Sequence, residues 1–235
     1  MRRIFIEPEE TDGRIINAGK EARDHALNVL RMKEGDLFGA VTGTGLEYEA
    51  RIVSFGKSGM QAEIVSCHRR EKTGISIDLY VCMIKPSRFE TFLEKTAEIG
   101  VDRIIPVISE RTQNFEISKS RRERWLSIIK QASRQSCSIM PSLEEALSLN
   151  DAIDGCREGL ILIPDPAAES SWRDILGRIA ASDRASVFIG PEGGFSESEL
   201  LYAQSKGAVK VLFGESILRT ETAAIAAASI LRHVV

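Results

Sequence analysis

Two glycine-bearing segments carry the residues best suited to chemistry. The first, Gly190-Pro191-Glu192-Gly193-Gly194-Phe195, follows an apolar run at residues 186–189 and precedes Ser196-Glu197-Ser198-Glu199, which has the spacing of a helix capping box. Glycines permit positive φ and let a ligand approach the backbone, while Pro191 restricts the turn. The segment has no Walker spacing, no lysine and no G-x-G-x-x-G pattern, and Glu192 would repel a phosphate. A ligand with a positive centre, or with mostly neutral polar groups, fits it better on charge. The second segment, Phe213-Gly214-Glu215-Ser216-Ile217-Leu218-Arg219-Thr220-Glu221-Thr222, leads from an apolar run into an alanine-rich helix. Backbone N–H groups at a helix start are free to bind a ligand, and an arginine beside them can stabilise developing negative charge. A salt bridge from Arg219 to Glu215 or Glu221 is the purely structural alternative.

A third candidate is electrostatic. The net charge of -3 gives no general attraction to nucleic acid, so such a partner must be met by a local patch. Residues 119–134 supply one: Lys119, Arg121, Arg122, Arg124, Lys130 and Arg134 stand against the single acid Glu123. A solvated helix face explains the same run. Cys67, Cys82, Cys137 and Cys156 show no C-x-x-C spacing, and the three histidines form no cluster, so reduced thiols and no metal are expected. No apolar run approaches the length that crosses a bilayer, and Met1-Arg2-Arg3 leads into Ile4-Phe5-Ile6 rather than a signal-peptide core. A cytoplasmic protein, without a membrane, is the expectation.

These residues need elements to position them. Short β runs at residues 4–6, 14–17, 37–41, 47–54 and 60–66, with one helix over 21–32 whose Ala22, Ala26, Val29 and Leu30 share a face, predict a small barrel. After the polar stretch Arg69-Arg70-Glu71-Lys72-Thr73-Gly74 the texture changes. Strands at 75–84, 103–108, 160–163, 186–189 and 209–213 then alternate with helices near 88–99, 120–136 and 172–181, from Glu197 and from Glu221. The fold class is therefore α/β with an N-terminal β-barrel, divided as 1–72 and 73–235, and the alternation implies a mainly parallel sheet. Such sheets bind ligands beyond the carboxyl ends of their strands, where both glycine segments lie. The alanines at 223, 224, 226, 227 and 228 would let another backbone approach the last helix closely.

In register, Ile189 to Phe195, Leu212 to Gly214 and Ile217-Leu218-Arg219-Thr220-Glu221-Thr222-Ala223 resemble the RsmE family of SPOUT-class RNA methyltransferases. The resemblance extends to His25, Val29-Leu30-Arg31 and Gly35-Asp36, and to Lys85, Lys95 and Glu98-Ile99-Gly100-Val101. It implies a PUA-like RNA-binding barrel joined to a SPOUT domain with a C-terminal trefoil knot. It also implies a homodimer that methylates uridine N3 in 16S ribosomal RNA of the small subunit. S-adenosylmethionine would be held by Ile189, Gly190, Pro191, Glu192, Gly193, Gly194, Leu212, Gly214, Ile217, Leu218, Thr222 and Ala223. One departure is that Arg134 and Ser138 stand where the family usually has glutamate and arginine.

Uridine N3 carries a proton, so transfer needs a base or a cation that stabilises the anion. Arg219 is the expected stabiliser, and Glu221 or Glu192 the expected base. Arg3 and Arg31, with Arg121, Arg122, Arg124 and Arg134, are the expected RNA contacts. The alternatives are a non-catalytic RNA-binding dimer, a SPOUT methyltransferase acting on a different RNA, and a doubly wound nucleotide-binding enzyme. The missing phosphate fingerprint argues against the last.

Overall fold

In the computed structural model, which describes residues 2–70, 74–112, 117–156 and 158–233, the chain clusters into two units. One comprises Met1–Lys72 with Lys130–Met140, the other Thr73–Ile129 with Pro141–Val235. The sequence boundary at 72 therefore misses one exchange: residues 130–140 pack with the first unit.

The first unit is a five-stranded sheet. Strands β1 (Arg3–Phe5), β2 (Ile15–Gly19), β3 (Leu37–Val41), β4 (Leu46–Phe55) and β5 (Gly59–Arg69) take the order β1-β3-β4-β5-β2. No ladder joins β1 to β2 among the described residues, so the expected barrel is a half-barrel. Period-2 alternation sends Ile4, Ile16, Ala18, Phe38, Ala40, Ala50, Ile52, Met60 and Ala62 into one core, while register shifts in the β4–β5 ladder bend the sheet. The helix predicted over 21–32 is shorter and of two kinds: α1 (Lys20–Asp24) continues as a π-turn, His25–Val29, closed by Leu30 N–H donating to His25 C=O at 3.0 Å. The wider turn moves Leu30 over the core and leaves Val29 65% exposed, which corrects the expected apolar face.

The second unit is a parallel sheet. It contains β6 (Ser76–Cys82), β7 (Arg103–Ile108), β8 (Ser142–Leu143), β9 (Leu147–Ser148), β10 (Leu160–Pro164), β11 (Arg184–Ile189) and β12 (Val209–Val211). The order is β12-β10-β11-β6-β7-β8, with β9 also on β7. Every residue of β6 from Ile77 to Cys82 is buried, as a sheet covered on both faces requires. Tyr80 and Phe188, paired in register on β6 and β11, stack with ring centroids 4.3 Å apart. The helices are α2 (Pro86–Ile99), α3 (Lys119–Ser136), α4 (Leu149–Asp154), α5 (Leu176–Ala180), α6 (Glu197–Ser205) and α7 (Thr220–His233). Pro86 sits in the first turn of α2, where a missing N–H costs nothing, and Gly100 ends it at φ 88°. The capping box at Ser196 and Glu199 is formed and starts α6. On α7, Ala223, Ala224, Ala227 and Ala228 are buried where the helix packs on α2, β6 and β11, the close approach that small side chains allow.

At the amino ends of the strands, Asp78 is fully buried between Arg103 (3.2 Å) and Arg184 (2.9 Å). Arg232 of α7 donates to Gly100 C=O at 2.6 Å and pairs with Asp102 at 3.3 Å. The carboxyl ends of the strands, at the other end of the sheet, carry the loops of interest.

Candidate active site

Three chain segments meet beyond the carboxyl ends of β10, β11 and β12. They enclose a cavity of about 550 Å³, within the range of small-molecule sites. Ile163 to Ala167 form one wall, Ile189 to Glu192 with Gly194 and Phe195 a second, and Ile217 to Thr220 with Ala223 a third. A neighbouring cavity of about 240 Å³ is lined by Leu212 to Leu218 and shares Pro164, Asp165, Pro166, Ile217, Leu218 and Ala223 with the first. The two are lobes of one depression.

Local sequence explains the shape. Gly194 N–H donates to Pro191 C=O at 2.9 Å, closing a turn, and Gly194 has φ 68° with nothing within 4 Å of where a Cβ would stand. A side chain there would be both strained and aimed into open space. At Gly190 a Cβ would press the Phe195 ring at 3.3 Å. Thr220 Oγ1 donates to Gly190 C=O at 3.0 Å, fastening the start of α7 to the glycine loop. Beyond β12, Leu212 N–H donates to Ser170 C=O at 2.8 Å and Leu212 bridges Ser171 in parallel. That brings the loop after β10 alongside the segment that leads to Gly214.

Charge is confined to a few groups. Arg219 is exposed and lines the cavity, and it makes neither of the salt bridges that would have given it a purely structural role. Glu192 also lines it, half exposed, and is hydrogen-bonded to Arg88 Nη1. Glu221 does not line it. Its carboxylate is recessed at 13% exposure, 3.8 Å from Arg88 Nε. Lys210 and Asp165 pair at 3.7 Å on the opposite wall. Of the residues expected to hold a donor, Gly193 and Thr222 also lie outside both linings. Sequence reading missed Arg88, Lys210 and the Pro164-Asp165-Pro166-Ala167 loop. The last was findable, since it too follows the carboxyl end of a parallel strand.

The basic residues expected to meet RNA are largely occupied. Arg3 Nε is 3.1 Å from the buried Glu47, which also takes Arg70 at 3.3 Å. Arg122 donates to the carbonyls of Glu144 (3.0 Å) and Leu143 (2.7 Å), and Arg124 to Glu90 at 2.8 Å. Arg134 pairs with Glu7 and, at 2.9 Å, with Glu21, over the Phe5 ring. Burial opposes ionisation of Glu7, but hydrogen bonds from Lys130 and Arg134 outweigh it and hold the carboxyl below its usual pKa. Arg121 lies in the first turns of α3, its N–H 3.3 Å from Ser118 Oγ. Arg31 is exposed, with φ 52°.

Known proteins resemble this arrangement over its whole length. A Ribosomal RNA small subunit methyltransferase E of Rickettsia conorii is 28% identical over 96% of this chain and 92% of its own. A protein of Legionella pneumophila, solved with bound S-adenosylmethionine as its cofactor, superposes with TM-score 0.76 at 32% identity, covering 99% of this chain and 97% of that one. A Ribosomal RNA small subunit methyltransferase E of Neisseria gonorrhoeae, also bound to S-adenosylmethionine, gives TM-score 0.78 at 28% identity over 100% and 98%. The model of an RNA methyltransferase PUA domain matches residues 18–65, within the half-barrel. That of an RNA methyltransferase domain matches residues 71–232, the parallel sheet and its loops, and the chain belongs to this RNA methyltransferase family.

Proposed function

We propose that this chain transfers the methyl group of S-adenosylmethionine to nitrogen 3 of a uridine in 16S ribosomal RNA. The observation that carries the reading is the cavity itself. It is walled by Ile163, Ile189, Leu218 and Ala223, opened by Gly194, and offers no lysine in the glycine loop for a phosphate. Such walls suit an adenine and the apolar part of the donor's methionine arm. The relatives named above, and the two solved with this donor, support the same assignment.

When bound, the donor supplies an electrophilic methyl on a sulfonium. Attack by uridine N3 forms the N–C bond, breaks the S–C bond and releases a neutral thioether, and the N3 proton must leave. Arg219, exposed at the cavity wall, is placed to stabilise negative charge spread over N3 and its flanking carbonyls. Glu192 is the carboxylate that lines the cavity, and of the two expected bases it is the one we assign to the proton. Glu221 reaches the cavity only through Arg88.

The half-barrel and the exposed Arg31 are proposed to engage RNA. The contact of residues 170–171 with Leu212, and the return of the chain to α7 over β6 and β11, support a C-terminal segment threaded as a trefoil knot of the SPOUT class. Ile217, apolar and 81% exposed at the rim, supports a homodimer. No helix among the described residues is long and apolar enough to cross a membrane. A ribosomal RNA substrate supports a cytoplasmic location.

The test is methyl transfer from labelled S-adenosylmethionine to small ribosomal subunits lacking the modification, followed by mass analysis of nucleosides. Methyl on uridine N3 is the expected result. Label on another base or on ribose would retire the uridine-N3 assignment, and no label despite donor binding would favour a binding-only protein or another RNA.

A further inference from the structure

Arg88 carries no step of the chemistry above, but it pairs with Glu192, the assigned base, and its guanidinium stands where three elements converge. It rises from the first turn of α2, lines the cavity, and reaches two carboxylates through different nitrogens: Nη1 to Glu192 in the glycine loop and Nε to Glu221 in the first turn of α7. Glu221 Oε2 is buried and has no hydrogen-bond partner among the described residues, so Arg88 is the cation that offsets this recessed charge. The glycine loop is held at the next residue as well, where Arg111 Nη1 donates to Gly193 C=O at 2.8 Å. Thr220 Oγ1 already fastens Gly190 to the start of α7, so Arg88 adds a second tie further along the loop, and cross-links of this kind set its population of open states.

We propose that Arg88 is a positioning residue for the donor cavity, tying the glycine loop to the start of α7 so that the two walls stand at ligand-sized separation before the ligand arrives. The fork of a guanidinium can serve both carboxylates at once in fixed geometry, which a lysine ammonium does less well. The proposal deepens the donor-cavity reading and rests on it for the ligand, though not for the tie itself.

The test uses the full chain carrying Arg88→Met, Arg88→Lys or Glu192→Gln. Amide exchange of donor-free protein over residues 190–195 and 219–224 is read by mass spectrometry. Calorimetry with S-adenosylmethionine and with its demethylated product is read alongside it. Arg88→Met and Glu192→Gln should each speed exchange over 190–195, and Arg88→Lys should restore part of the protection. The double variant Arg88→Met with Glu192→Gln should add little to either single one, because the two residues share one contact. Affinity for both ligands should fall about tenfold in Arg88→Met, the scale of one charge-assisted hydrogen bond, with kcat at saturating donor falling less than kcat/KM. Unchanged exchange in both Arg88→Met and Glu192→Gln overturns the proposal. So does a loss of kcat alone with exchange and donor affinity intact, which would set Arg88 against the acceptor. If the unaltered chain binds no donor, the donor-cavity reading fails while the exchange result still decides the tie.

Discussion

At the scale of single residues, two positions test the proposed division between donor binding and transfer. Gly194 combines φ 68° with a place in the cavity lining, so Gly194→Val incurs about 1–3 kcal/mol of backbone strain at the cavity wall. Titration calorimetry should show S-adenosylmethionine binding weakened by at least about tenfold, and unchanged affinity would move the donor elsewhere. Arg219→Met should change donor affinity far less than it lowers kcat, which should fall by about 10²–10³-fold, as losing a preorganised charge stabiliser does. Single-turnover methyl transfer at saturating donor measures this. Arg31 offers a separation of another kind. Because φ 52° suits glycine better than any other residue, Arg31→Gly removes a cation while keeping the backbone conformation. The melting temperature should hold and RNA affinity should fall with a shallower salt dependence, read as log Kd against log salt. An unchanged salt slope would take Arg31 out of the RNA contact set.

At the scale of elements, long segments were legible and short ones were not. The strands at Leu37–Val41 and Arg103–Ile108 match the sequence reading residue for residue, because alternation or a bounded apolar run fixes them. The strands β8 and β9, two residues each, and the six-residue α4 carry too little pattern to register. The basic run on α3 was legible as charge but not as pairing. Its partners Glu7, Glu21, Glu90 and the carbonyls of Leu143 and Glu144 are brought there by the fold, and no spacing announces them. Asp78 is a similar case, an unremarked acid within an apolar strand that becomes the shared partner of Arg103 and Arg184. Asp78→Ala should lower the unfolding free energy by about 3 kcal/mol, the low end for breaking a buried pair, since both arginines retain some access to water. Urea denaturation checks it, and a loss under about 1 kcal/mol would mean that the pair contributes no more than one at the surface.

For the molecule as a whole, the lining of the cavity was half legible. The two glycine motifs are contiguous in sequence. By contrast, Arg88, Lys210 and the Pro164 to Ala167 loop join them only because β10 lies between β11 and β12 and α2 packs on α7. The same burial makes stability depend on alkaline pH. Burial pushes the Cys82 thiol up from 9.0 to about 11 and the Tyr80 phenol from 10.0 to about 12. Both groups are therefore protonated in the fold, and their contribution is intact below about pH 9 and lost as pH climbs through 11 and 12. Stability followed by denaturant titration should decline across that window, and Cys82 should resist alkylation at pH 8 while the exposed Cys67 reacts. The parallel sheet has one more consequence. With every strand running the same way, the Asp78 charge cluster and the proposed donor cavity sit at opposite ends of β11, about 16 Å apart at 3.3 Å per residue. Anchorage and chemistry are thus insulated from each other. A variant altered at both ends should show effects that simply add, so the amino end can be reinforced or weakened by selection without any toll on turnover.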